Sequence, residues 1–125
     1  MKLAVIGSRT VTDSDAVFPI ISKYKPSQIV SGGARGADQI GKDYAERMGL
    51  TAIIFPAEWK KHGKSAGYIR NHDIIKNCDH VVAFWDEKSR GTMHSISLAK
   101  DTYHKPCDVY IFHDGQWQLV DEQES

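Results

Sequence analysis

Short apolar runs alternate with amphipathic stretches along the 125 residues. "KLAVIG" (Lys2 to Gly7) is too brief for a helix and ends in glycine, the pattern of a buried strand. Cap-type residues Thr12, Asp13 and Ser14 then precede apolar positions 17, 18, 20, 21 and 24, which predicts a helix to about Tyr24. Pro19 has to lie in its first turn or kink it. "QIVS" (Gln28 to Ser31) is the second strand. Ala37, Ile40, Gly41, Tyr44, Ala45 and Met48 fall on one helical face, with Gly49 as the stop.

"LTAIIF" (Leu50 to Phe55) is the third strand, "PAEWKKHGKSAG" reads as a polar loop, and "YIRNHDIIKN" as a helix ending near Asn77. "HVVAFW" (His80 to Trp85) is the fourth strand. After the loop "DEKSRG", Met93, Ile96, Ala99 and Tyr103 mark the inner face of another helix. "CDVYIF" is the fifth strand, and the Asp114-Gly115 turn leads into "WQLV", a candidate short antiparallel sixth strand. The tail "DEQES" is expected to fray.

Strands and helices alternating in this way predict an α/β fold, doubly wound, with a mostly parallel sheet of about five strands and helices on both faces. No boundary or repeat divides residues 1–125, so one domain is expected. Ligands of such sheets bind beyond the carboxyl ends of the strands, where the strand order reverses. The strand-to-helix loops are therefore the place to look for chemistry.

Composition narrows the partners. Lys plus Arg equals Asp plus Glu at 16 each, which argues against a long nucleic acid and leaves room for a local basic pocket. No run approaches the ~20 apolar residues of a membrane span and the start is too short for a secretory signal, so a cytoplasmic protein is expected. Cys78 and Cys107 stand alone and are expected as buried free thiols. The six histidines (62, 72, 80, 94, 104 and 113) have no metal-ligand spacing, so neither metal nor cofactor is expected.

Four loops carry the candidate chemistry: "GSRTVTD", "GGARGAD", "PAEWKKHGKSAG" and "DEKSRGT". Glycines let a ligand approach the backbone, and the first turn of a following helix offers free N–H groups and a positive dipole end. Arg9, Arg35, Arg70 and Arg90 add cations, giving an anion pocket suited to phosphate. "GGARGA" matches neither GxGxxG nor the P-loop, and by itself it also reads as a tight turn with a solvated arginine.

"GSR", "VSGGARGAD", "FPAEWKKHGKSAGYIRN" and "VVAFWDEKSRGT", in this order, closely resemble the YspA-like branch of the SLOG superfamily over roughly residues 1–112. That superfamily includes the DprA/Smf DNA-processing proteins and the LOG phosphoribohydrolases. The resemblance implies a Rossmann-like fold with a nucleotide-type ligand on the glycine-rich loops, and LOG proteins make a homodimer an expectation. Ser31 to Asp38 match the first phosphate-side loop, Arg70-Asn71 an Arg-Lys position, and Gly91-Thr92 the glycine-threonine of the LOG motif. Where that motif has its acid/base glutamate, this chain has Ser95.

The expected ligand-binding set is Gly7, Ser8 and Arg9 after the first strand; Ser31, Gly32, Gly33, Ala34, Arg35, Gly36 and Asp38 after the second; then Trp59, Arg70, Asn71, Trp85, Arg90, Gly91 and Thr92. Trp59 and Trp85 read either as base-stacking rings or, for Trp85 especially, as core. Asp38 reads as a dipole partner in a helix first turn or as a ligand for a ribose hydroxyl. His94 reads as an exposed histidine or an acid/base, and Lys60, Lys61 and Lys64 as a solvated face within reach of a phosphate.

The leading expectation is binding or sensing of a nucleotide or nucleotide derivative. No catalytic residue is assigned. An N-glycosidic hydrolase is the alternative and would need Asp86, Glu87 or Asp38 as its carboxylate. Single-stranded DNA handling ranks third, since the chain shows no basic stripe.

Overall fold

The structure, a computed structural model, describes residues 1–121. Its six strands are β1 (Lys2–Gly7), β2 (Gln28–Ser31), β3 (Thr51–Ile54), β4 (His80–Trp85), β5 (Cys107–His113) and β6 (Gln116–Asp121). The helices are α1 (Ser14–Lys23), α2 (Ala37–Met48), α3 (Trp59–His62), α4 (Ala66–Lys76) and α5 (Arg90–Ser97). The sheet order is β3-β2-β1-β4-β5-β6, parallel throughout except for the β5/β6 hairpin. The chain winds outward from β1 to β3, returns to the middle at β4, and winds the other way. The order therefore reverses between β1 and β4, and a crevice opens at their carboxyl ends.

Strand alternation sends neighbouring residues to opposite faces. Leu3 and Val5 join Ile29, Val82, Phe84 and Tyr110 under α1 and α2, which contribute Val17, Ile21, Ile40 and Tyr44. Ala4 and Ile6 join Val30, Val81, Ala83 and Val109 under α4 and α5, which contribute Ile74, Ile75 and Ile96. Cys78 and Cys107 are buried free thiols in this second layer, and burial pushes them up to about 11 and about 12. Val5 accepts α2 at close range because Gly41 has no side chain: a Cβ there would stand 2.8 Å from the Cβ of Val5.

Several local expectations are corrected. Only the first three residues of "PAEWKKHGKSAG" are loop; the rest forms α3, a 3-10 turn over Gly63–Ser65, and the start of α4. Leu50 and Phe55 lie just outside β3. Pro19 is the sixth residue of α1, past its first turn; both it and Asp15, whose carbonyl its missing N–H leaves unpaired, are exposed. Met48 and Met93 sit on the expected apolar faces yet are 58% and 42% exposed. The final turn of the α5 segment, Leu98–Thr102, widens to a π-helix. Of the expected fraying tail, Asp121 ends β6 and residues 122–125 lie outside the described residues. No helix among the described residues is long and apolar enough to cross a membrane.

Candidate functional site

The crevice is an open cleft of about 310 Å³ above the carboxyl ends of the strands. The loop after β1 supplies Gly7 and Arg9, the β2 loop and α2 supply Ala34 and Asp38, and the segment after β3 supplies Trp59 and Lys64. Helix α4 turns Gly67, Arg70, Asn71 and Ile74 toward it, the i, i+3, i+4, i+7 face of a helix, with Tyr68 at the rim. Ser89, Gly91, Thr92 and Ser95 complete the lining from α5.

Local chemistry explains how each side chain is held. The β1 and β2 loops meet where the Ser8 carbonyl accepts the amides of Val11 and Ala37, both at 3.3 Å. Gly36 fits this junction at φ +82°, with its missing Cβ 2.2 Å from the Ser8 oxygen. Ser31 Oγ donates to the Asp38 carbonyl at 2.9 Å and accepts the Gly33 amide at 3.3 Å, closing the glycine loop on itself. Arg70 Nη1 donates to the Gly32 carbonyl at 3.0 Å, and its Nε to Asn71 Oδ1 at 3.3 Å. Asn71, 7% exposed, then donates through Nδ2 to the Gly91 carbonyl at 3.3 Å and meets His94 Nδ1 at 3.2 Å. Asn71 thus fixes Arg70 and the start of α5 together.

That start is an anion-friendly terminus. Ser89 caps it, accepting the Thr92 amide and hydroxyl at 3.3 and 3.0 Å. The amides of Arg90 and Gly91 have no hydrogen-bond partner among the described residues. Free N–H groups, the positive end of the helix dipole and the guanidinium groups of Arg9 and Arg70 together make a seat for a phosphate-sized anion.

One carboxylate lines the same cleft beside this seat. Asp38, 7% exposed, accepts the Ala34 amide on Oδ2 at 3.4 Å. Burial pushes it up to about 6, against the pull of Arg70, the Ala34 and Gly32 amides, and Arg9. Because the folded-state value is raised, ionised Asp38 costs the fold stability: the penalty is complete above pH 6 and vanishes as pH falls below the ordinary carboxylate range near 4. Asp38→Asn is therefore expected to raise unfolding stability at pH 7.5 by about 2 to 3 kcal/mol. Urea unfolding at pH 7.5 and pH 5 checks this, with the gain shrinking at the lower pH.

The remaining expected site residues lie elsewhere. Arg35 and Arg90 are exposed and do not line the cleft. Ser8 is buried beneath it, accepting the Asp86 amide on Oγ at 2.9 Å. Gly32 backs the pair Arg70 and Asp38, while Gly33, like the loop tip, faces solvent. Trp85 bonds the Ser89 carbonyl through its indole N–H at 3.1 Å and lines a second cleft with Asp86 and Glu87, beside Phe112 and Trp117. Asp86 is a turn builder: partial burial raises it, but the amides of Lys88 and Ser89, at 2.8 and 2.7 Å, outweigh that and hold it below the usual carboxylate range. Of the three carboxylates considered for catalysis, only Asp38 lines the main cleft. His94 supports Asn71 from behind and is itself pushed down by burial and by His72.

Sequence reasoning missed Tyr68, Gly67 and Ser89. The signal for Gly67 was present in its spacing to Arg70, Asn71 and Ile74, but a glycine inside a helix start reads as loop. Trp59 lies over it, its Cη2 3.5 Å from where a Cβ would stand.

Comparison with known proteins gives the family and the fold. The model for the "YspA, cpYpsA-related SLOG family" matches residues 1–62, which hold the β1 and β2 loops. The Gene 61 protein of Mycobacterium phage D29 is 31% identical over 110 residues, covering 79% of this chain and 88% of the phage protein. The chain belongs to this SLOG family. Among solved structures, DNA processing protein A from Helicobacter pylori, described for its single-stranded DNA binding mode, superposes with a TM-score of 0.68 at 24% identity. The match covers 99% of the SLOG chain and 68% of the Helicobacter protein, and the fold is shared.

Proposed function

We propose that the cleft binds a nucleotide or nucleotide-derived ligand, with a phosphate held by Arg9, Arg70 and the free amides of α5. The observation that carries this reading is the convergence of two cationic side chains and an open helix N-terminus at the switch point of the sheet. Calorimetric titration with a panel of nucleoside mono-, di- and triphosphates tests it, and a folded protein that binds none of them sinks it. Arg35→Ala and Arg90→Ala, both outside the cleft, are expected to change the affinity for a bound nucleotide less than about 3-fold, the small effect of exposed charges.

A second reading is supported by the Helicobacter protein's single-stranded DNA binding. Here one nucleotide of a strand would occupy the same cleft and its neighbours would cross the rim at Trp59 and Tyr68, rings suited to stacking. The zero formal net charge favours the small ligand. Fluorescence anisotropy with a labelled oligothymidylate separates the two. Strand binding that is tighter than mononucleotide binding and weakens steeply with salt would favour the second.

A further inference from the structure

We infer that Asp38 reads the sugar hydroxyls of the ligand and makes the cleft selective for ribonucleotides over deoxyribonucleotides. The inference rests on the nucleotide reading above and adds the class of sugar.

The starting point is a conflict. Asp38 is more than nine-tenths buried and lines a cleft otherwise furnished with Arg9, Arg70 and Lys64. A phosphate placed against an ionised carboxylate is repelled by roughly 4 kcal/mol per unit-charge pair at 4 Å and an effective dielectric of 20. Arg70 favours the ionised form of Asp38 from the shared space beside Gly32, but its hydrogen bonds, from Nη1 and Nε, go to the Gly32 carbonyl and to Asn71. An ionised carboxylate offers about four lone-pair sites. Asp38 accepts the Ala34 amide at 3.4 Å and is also drawn down by the Gly32 amide, so about two sites stay open for donors arriving from the cleft. The group it accommodates is a neutral donor, and a vicinal diol supplies two hydroxyls that one carboxylate can accept together.

The sheet order then places that diol. Walking along the carboxyl edge from β3 to β4, the cleft offers Trp59 after β3, Asp38 after β2, Arg9 after β1, and Ser89 to Thr92 after β4. Three strand spacings at about 4.8 Å each span roughly 14 Å, the scale of a nucleoside monophosphate. The sequence of chemistries is aromatic ring, hydroxyl acceptor, cation and helix N-terminus. A nucleotide has the same order: base, sugar, phosphate. Trp59, 54% exposed, is the stacking platform at one end, and Asp38 occupies the sugar's place between it and the phosphate seat.

Two further features hold Asp38 for this task. Its main-chain carbonyl is tied by Ser31 Oγ at 2.9 Å, which fixes the first turn of α2. Gly32 lacks the Cβ that would stand 2.8 Å from Asp38 Oδ2 and 2.3 Å from Arg70 Nη1, so the carboxylate and the guanidinium share one small space without collision.

The test is calorimetric titration of the wild-type protein and Asp38→Asn with the four ribonucleoside 5′-monophosphates, their 2′-deoxy counterparts and 3′-deoxyadenosine 5′-monophosphate. For whichever base binds, the ribonucleotide is expected to bind about 10- to 100-fold more tightly than its 2′-deoxy form, the effect of a hydrogen bond to a charged group. Asp38→Asn is expected to bring that ratio near 1 while a thermal melt shows it folded. Equal ribo and deoxy affinities in the wild type, or a ratio unchanged in Asp38→Asn, overturn the sugar assignment and leave the nucleotide reading standing. Absence of binding by every nucleotide here, and by the di- and triphosphates of the wider panel, overturns both.

Discussion

Gly36→Ala is expected to lower Tm by about 10 °C or more. Gly36 precedes α2 at φ +82° and ψ −133°, backbone that L side chains adopt only under strain, worth about 1 to 3 kcal/mol. Space adds a second cost: the alanine Cβ would stand 2.2 Å from the Ser8 carbonyl oxygen and 2.6 Å from Arg9 Cα. These are main-chain atoms of the β1 loop and cannot rotate aside. Relief requires separating the two loops that the Ser8 carbonyl joins, at a further cost of about 1 to 3 kcal/mol. A total near 3 to 4 kcal/mol corresponds to the stated drop in a chain of this size, and differential scanning calorimetry measures it. Gly32→Ala provides the contrast. Its Cβ meets the ends of two side chains, Arg70 and Asp38, and no main chain, so Tm should fall less than in Gly36→Ala while both groups are displaced and ligand affinity falls.

Arg70→Ala is expected to weaken anion binding by about 10- to 100-fold with a Tm change of only a few degrees, as read by titration with inorganic phosphate and with whichever nucleotide binds. Arg70 is the cation with a fixed address: two hydrogen bonds orient its guanidinium, one to the Gly32 carbonyl and one to Asn71. Such preorganisation spares the ligand the cost of ordering a long side chain. Its loss also removes the strongest charge opposing the burial of Asp38, so the carboxylate rises above about 6 and a larger fraction of it becomes protonated at neutral pH. The affinity deficit of Arg70→Ala should therefore be greatest at alkaline pH, where Asp38 is ionised beside the anion. Arg70→Lys restores charge without the two-point hold and is expected to recover only part of the affinity.

The fold was legible because its signals are local. An apolar run ended by glycine marked β1, and a clean apolar face closed by Gly49 marked α2, whose C-cap is indeed left-handed at φ +69°. The segment from Trp59 to Gly67 was not legible. Its lysines, histidine and two glycines have no apolar period, and α3 has no buried residue to create one. Its conformation is fixed by what lies around it, with Trp59 resting over Gly67.

For the site, the loops could be named but the side chains within them could not be ranked. Arg9, Arg35, Arg70 and Arg90 are equivalent as letters beside glycine or on a helix, yet Arg9 and Arg70 line the cleft and Arg35 and Arg90 do not. Direction decides this, and direction comes from tertiary context. Helix α4 carries Arg70 inward on the Gly67–Ile74 face, whereas Arg35 sits at the tip of a loop that turns outward before α2. The three carboxylates separate for the same reason. Asp86 folds back on the amides of Lys88 and Ser89, and Asp38 alone is carried into the cleft by the first turn of a helix.

The most direct test of the account is an amide-nitrogen NMR titration of the full chain with the nucleotide that binds most tightly in the panel. The account predicts that the perturbed amides trace the cleft, with Arg9, Ala34, Asp38, Arg70 and Gly91 to Thr92 shifting and the second cleft near Thr10 to Asp13 and Phe112 to Trp117 silent. Perturbations confined to that second cleft, or to residues on neither, would contradict it.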